Sequence, residues 1–173
     1  MGLMLYLYFV IAFVDHISIW FGPFTLNNSM AMDFEADILN PSAVASYLSE
    51  GKGPLSSTAA DGTAQFVSSL GKKTPGEENW PDLQWILIAA SIDGPGASNY
   101  EHAFNVKPGV LQKYFESMNG KRNFQLITVV SRPKSVGQLT LASSDPNDYP
   151  IIDPKYYDNH HDMEVAIEGI IDS

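Results

Sequence analysis

His160 and His161 lie between Asp158 and Asp162, a grouping of side chains that commonly ligate metals. Their spacing argues against a shared ion. Adjacent helical residues point to different faces, whereas two helical ligands of one metal need a separation of three or four. The expectation is helix-cap acids beside surface histidines, with no metal site. A serine triad would need a Gly-x-Ser-x-Gly elbow between a strand and a helix, and the sequence has none. Gly51-x-Gly53-x-x-Ser56 and Gly94-x-Gly96 fall short of the glycine pattern, set between strand and helix, that lets a backbone approach a pyrophosphate. No Gly-Lys pair is followed by Ser or Thr, so there is no Walker loop. No catalytic residue is predicted from motifs alone.

Composition narrows the remaining classes. The 173 residues are 45% apolar and 12% aromatic, which suits a folded domain. Twenty acidic against ten basic side chains give a net charge of −10, unfavourable for a nucleic-acid partner. The adjacent basic pairs, Lys72-Lys73 and Lys121-Arg122, sit in stretches expected to be solvated turns. The absence of cysteine excludes disulfides, thiolate metal sites and cysteine nucleophiles. Asn27-Asn28-Ser29 is a glycosylation sequon that matters only if the chain is secreted.

The elements that would position any site follow from periodicity. Residues 16–26 suggest a short strand. Residues 41–50 suggest a helix with Asn40 as N-cap, Pro41 at the first position, and Val44, Tyr47 and Leu48 as its apolar face. Residues 62–70 are ambiguous, and 71–81 read as a polar loop. The run 83–92 suits a strand buried on both faces, closed by the turn signal Asp93-Gly94-Pro95-Gly96. A helix is expected at 110–118, with Val110, Leu111, Tyr114, Phe115 and Met118 on one face.

Residues 124–163 read as a β-hairpin running into a helix. Phe124, Leu126, Thr128 and Val130 alternate with Gln125, Ile127 and Val129, and a second strand resumes at 137–142. Between them, Arg132-Pro133-Lys134-Ser135 reads as the hairpin corner. Pro133 removes a ladder donor, Gly137 permits close backbone approach, and Arg132 and Lys134 are left to pair with acids. Residues 144–154 read as a loop. The last helix spans 158–171, capped by Asp158 or Asn159, with Met163, Ile167, Ile170 and Ile171 as its apolar side. Strands and helices intermix without regular βαβ alternation, so the expected class is α+β, mainly an antiparallel sheet flanked by helices.

Residues 1–14 form an apolar leader that ends at Asp15-His16. It is shorter than the roughly 20 apolar residues of a membrane helix. It also lacks the basic start and small-x-small cleavage site of a typical signal. A weak signal sequence, a buried segment and an accidental start on a truncated chain all remain open; a membrane partner is not expected.

The order of local patterns resembles one family. Asp15-His16-Ile17, Gly53-Pro54-Leu55-Ser56, Trp80-Pro81-Asp82-Leu83-Gln84, Arg132 through Leu139, Asp145-Pro146 and Asp158 through Gly169 are similar to the substrate-binding portion of the glucose–methanol–choline (GMC) flavin oxidoreductases. Residues 156–170 are most similar to the animal glucose-dehydrogenase-like branch. The resemblance covers about residues 15–173 and implies an incomplete GMC substrate-binding domain. It further implies FAD as cofactor, an alcohol or sugar as substrate, and a separate electron acceptor. Asp15 and His16 correspond to flavin-proximal positions, although the family's usual Asn-Leu-Gln lead-in is replaced by Ala12-Phe13-Val14. Gln84, the polar member of the 82–92 strand, corresponds to a substrate-facing position. The family's cofactor glycine loop and catalytic histidine are expected to lie outside this sequence, so the chain alone is expected to be inactive. A non-catalytic binding module derived from the same fold is the alternative expectation.

Overall fold

The structure is a computed structural model that describes residues 10–26, 31–38 and 40–172. Its strands are β1 (Val10–Phe13), β2 (Ile17–Thr25), β3 (Met32–Asp33), β4 (Ala60–Phe66), β5 (Leu83–Ile88), β6 (Ala90–Ser91), β7 (Asn123–Val130), β8 (Gly137–Thr140) and β9 (Ile151–Asp153). Its α-helices are α1 (Pro41–Glu50), α2 (Ser69–Lys73), α3 (Gly94–Ala103), α4 (Val110–Phe115) and α5 (His160–Ile171). The class is α+β. One sheet has the order β2, β7, β5, β4, and a second has the order β1, β8, β9. β8 pairs antiparallel with both of its neighbours, whereas β3 and β6 form a short parallel pair. The chain divides into a first unit of Met1–Ile19, Gln65–Gln84 and Val129–Ser173, and a second of Trp20–Ala64 and Trp85–Thr128.

The first unit is built around Ile17, Leu83, Val130, Val165 and Ala166, with Ile19, Phe66, Leu70 and Tyr157 packed against them. Burying an aliphatic side chain of this size contributes about 1.5–3 kcal/mol. Helix α5 joins this core through Asp162, Val165, Ala166 and Gly169, a stripe at i, i+3, i+4 and i+7. Its larger residues point the other way. Met163, Ile167, Ile170 and Ile171 are exposed, the last at 75%. The expected apolar side is therefore corrected: the sequence offers two stripes, and the one with small side chains is buried because it lets the helix backbone come close to the core.

The 124–163 hairpin is also corrected. β7 lies between β2 and β5, while β8 lies between β1 and β9, so the two strands occupy different sheets. The connecting segment explains this. Lys134 and Ser135 donate their backbone N–H groups to Asp162 at 2.7 and 2.8 Å instead of closing a tight turn. Gly137 then allows close passage of the next chain. A Cβ there would meet Asp153 O at 2.7 Å and Pro154 Cα at 2.8 Å. β1 pairs with β8 from Val10↔Thr140 to Phe13↔Gly137, so the end of the apolar leader is part of a sheet. Residues 1–9 and the sequon at 27–29 lie outside the described residues.

The second unit has its core at Ile92, Ala97 and Phe115, flanked by Tyr100, Leu111 and Met118. The segment that sequence patterning assigned to a turn at Asp93 instead starts α3. Asp93 caps it by accepting the Gly96 N–H at 2.6 Å, with Pro95 in the first turn. Glu101, buried in α3, accepts the N–H groups of Gly109, Leu111 and Gln112 at 2.9, 2.7 and 3.1 Å, and the Gln112 side chain at 2.7 Å. It thereby caps α4, whose own cap position is Gly109 and has no side chain to offer. In α1, Asn40 caps and Gly51 terminates in the left-handed region as expected. Its expected apolar face is exposed, with only Ala43 buried and Leu48 at 78% exposure.

Candidate functional site

Three carboxylates in the first unit, Asp82, Glu168 and Asp162, hold backbone amides. Asp82 is buried and accepts Ser68 N–H and Ser68 Oγ, both at 2.6 Å. Glu168 does the same for Ser69, again at 2.6 Å to each donor. Asp162 is fully buried and binds the 134–135 amides. Burial raises its pKa, but the Lys134 and Ser135 donors and the His161 ring together hold it below the ordinary carboxylate value. Arg132 pairs with Glu77 at 2.9 Å, lies 5.0 Å over the Trp80 ring and donates to Trp80 O. Lys134 lies 3.9 Å from the same Glu77. The Arg132–Ser135 segment is thus a docking corner, with its cations paired to an acid as expected.

The histidine cluster departs from the expected helix-cap acids beside surface histidines. Asn159, rather than Asp158, caps α5 by accepting His161 N–H at 3.0 Å. His160 is exposed and lies 3.5 Å from Glu164, whereas His161 is half-buried, not a surface residue. Among the described residues, no group of three or more His, Asp or Glu could hold a metal ion. No helix there is long and apolar enough to cross a membrane.

The predicted site residues fall as follows. Asp15 and His16 are exposed in the link between β1 and β2, and Tyr156 donates its hydroxyl to Asp15. Gln84 is half-buried in β5. Strand alternation puts it on the face shared with Ile86 and Ile88, opposite that of Leu83, Trp85 and Leu87.

Leu87 instead borders a concavity of a size that suits a small molecule. A groove of about 540 Å³ in the second unit is lined by Leu26, Met32, Gly53, Pro54, Ser57, Asp61, Leu87, Ala89 and Phe124. That size falls within the roughly 300–1,000 Å³ of ligand pockets. β3, β4, β5 and β7 each supply a wall residue, as does Pro54, which opens a 3-10 turn. The polar side chains are few and linked: Ser57 Oγ donates to Asp61 Oδ1 at 3.0 Å, and Ala59 N–H donates to Ser57 Oγ at 3.0 Å. Asp15, His16 and Gln84 are not among the lining residues. Sequence patterning missed Ser57 and Asp61. The available signal was Gly53-Pro54-Leu55-Ser56 near an ambiguous segment at 62–70, of which residues 62–66 are the later part of β4 and 69–70 begin α2.

Residues 133–172, covering the docking corner and α5, match the family model described as GMC oxidoreductase. The chain belongs to the GMC oxidoreductase family. It is 30% identical over 129 residues to the chloroplastic fatty acid photodecarboxylase of Chlamydomonas reinhardtii, covering 74% of this chain and 19% of that protein. It is 26% identical over 137 residues to the neither inactivation nor afterpotential protein G of Drosophila melanogaster, covering 77% of this chain and 22% of that protein. A 40% identity over 52 residues links it to glucose dehydrogenase (FAD, quinone) of Drosophila pseudoobscura pseudoobscura, covering 30% and 8% respectively. This GMC chain spans about a fifth of the length of the first two relatives.

Proposed function

We propose that this chain is the substrate-binding portion of an FAD-dependent oxidoreductase of the glucose-dehydrogenase-like kind, acting on CH–OH groups of alcohols or sugars and inactive by itself. The match over residues 133–172 carries the proposal, because that stretch contains the Asp162 clamp and the helix on which the first unit is built. The short likeness to a glucose dehydrogenase supports the substrate class, and the FAD and quinone in that protein's name support FAD and an external acceptor.

FAD, when bound, supplies the acceptor for the hydride removed from a CH–OH carbon. The described residues fit the cofactor poorly at its pyrophosphate. The glycines at 94 and 96 lead a helix, but Asp93 occupies that helix start with a carboxylate and takes the Gly96 N–H. Gly51 and Gly53 follow the end of α1, so no helix dipole points its positive end from them to an anion. Asp15 and His16, exposed beside Tyr156, are our proposed contacts to a flavin edge. What the chain itself does is to bind and orient substrate, through the groove that Leu87 and Phe124 border; Gln84, on the opposite face of β5, does not reach a substrate held there.

Purifying the chain in the presence of FAD, then dialysing and recording visible flavin absorbance, tests the proposal. Little or no retained flavin is expected. Stoichiometric retention contradicts the claim that the cofactor site is incomplete here.

A further inference from the structure

Taking the groove as substrate-side, which rests on the function just proposed, we infer that it selects an alcohol with a hydrocarbon body over a sugar. The walls decide this. Among the described residues, Leu26, Met32, Pro54, Leu87, Ala89 and Phe124 present carbon, and the polar side chains are Ser57 and Asp61. Ser57 already spends its proton on Asp61 Oδ1 and accepts from the Ala59 N–H. The groove thus offers one carboxylate whose second oxygen is not the one bound by Ser57.

A carboxylate is an acceptor, so it fits the O–H of an alcohol as donor. One such acceptor serves one hydroxyl. A hexose carries several, and each one moved from water to a hydrocarbon wall without a partner opposes binding. A hydrocarbon tail gains there instead, because every methylene leaves water for Leu, Met and Phe side chains. The likeness to a fatty acid photodecarboxylase agrees with a hydrocarbon-lined site, but it is the lining residues that decide.

The test uses the 173-residue chain at micromolar concentration and hydrogen–deuterium exchange of peptides from 83–92 and 123–130. The ligands are hexan-1-ol, octan-1-ol, decan-1-ol and glucose. Protection is expected with the alcohols, at a concentration that falls about fourfold for each added methylene. Asp61→Ala, an exposed position that the core does not use, is expected to weaken every alcohol about tenfold while leaving the chain-length dependence intact. Protection by glucose equal to that by octan-1-ol, or alcohol protection that ignores chain length, overturns the inference and leaves the groove as a substrate site. No protection by either class of ligand overturns both the inference and the assignment of the groove.

Discussion

Asp162, three residues into the last helix, accepts the backbone N–H of Ser135 at 2.8 Å, and its other carboxylate oxygen takes the neighbouring Lys134 amide. Ser135 returns the connection, since its hydroxyl accepts the Asn159 N–H at 3.0 Å just before the helix begins. Two amides that follow a proline in a strand-to-strand link are therefore satisfied by one buried charge. The link is fixed to α5, and β8 is directed away from β7.

Replacing Asp162 by Asn leaves these donors facing a group with a single acceptor. A loss of about 3 kcal/mol is expected, against a change within about 0.5 kcal/mol for exposed Asp158→Asn. Urea unfolding of both variants checks this, and equal effects would remove Asp162 from its place in the fold. Because its folded pKa is lowered, this stabilisation is present above the ordinary carboxylate range and fades as the pH falls through the lower folded value.

Gly137 carries a steric prediction. A Cβ would meet backbone atoms of Asp153 and Pro154 at 2.7 to 2.8 Å, and backbone cannot rotate aside as a side chain can. Gly137→Ala should cost about 1–3 kcal/mol and loosen the β8–β9 pairing. Amide exchange at 151–153 rising in step with the stability loss is the expected outcome. An unchanged melting curve contradicts the close approach.

Glu101 governs the acid limb of the second unit. Burial raises its pKa, yet the Gln112 side chain and the amides of Gly109, Gln112 and Leu111 outweigh that and lower it from 4.5 to about 2. Its contribution is complete above the unfolded value and disappears as pH falls from 4.5 toward 2. Glu101→Gln should therefore flatten the dependence of stability on pH across that window. A slope equal to that of the unaltered chain would count against the capping role.

The outer face of α5 predicts self-association. Met163, Ile167 and Ile171 follow each other at i, i+4 and i+8, all exposed. Light scattering should find the unaltered chain associated and the double variant Ile167→Lys, Ile171→Lys closer to monomer. A monodisperse unaltered chain is the contrary result.

Local signals were the legible part of this fold. Asn40 with Pro41, Gly51 after α1, and the alternation of β7 each act within a few residues, so spacing exposes them. Which stripe of α5 is buried depends on Ile17, Leu83 and Val130, far away in sequence, and bulk hydrophobicity pointed to the wrong stripe. The hairpin failed for the same reason: Asp162 is 27 residues from Ser135, and the carboxylate that redirects the link gives no local sign of itself. The groove was least visible. Its walls come from four strands and a turn, and its polar pair, Ser57 and Asp61, matches no motif. Family likeness pointed to Asp15, His16 and Gln84, none of which borders it.

Membership of a larger flavoprotein is tested most directly by sequencing the full transcript from which this chain is translated. A single open frame is predicted, running through residues 1–173 with a Gly-x-Gly-x-x-Gly loop encoded upstream and a histidine-bearing segment downstream. Stop codons immediately flanking the chain on both sides would contradict it.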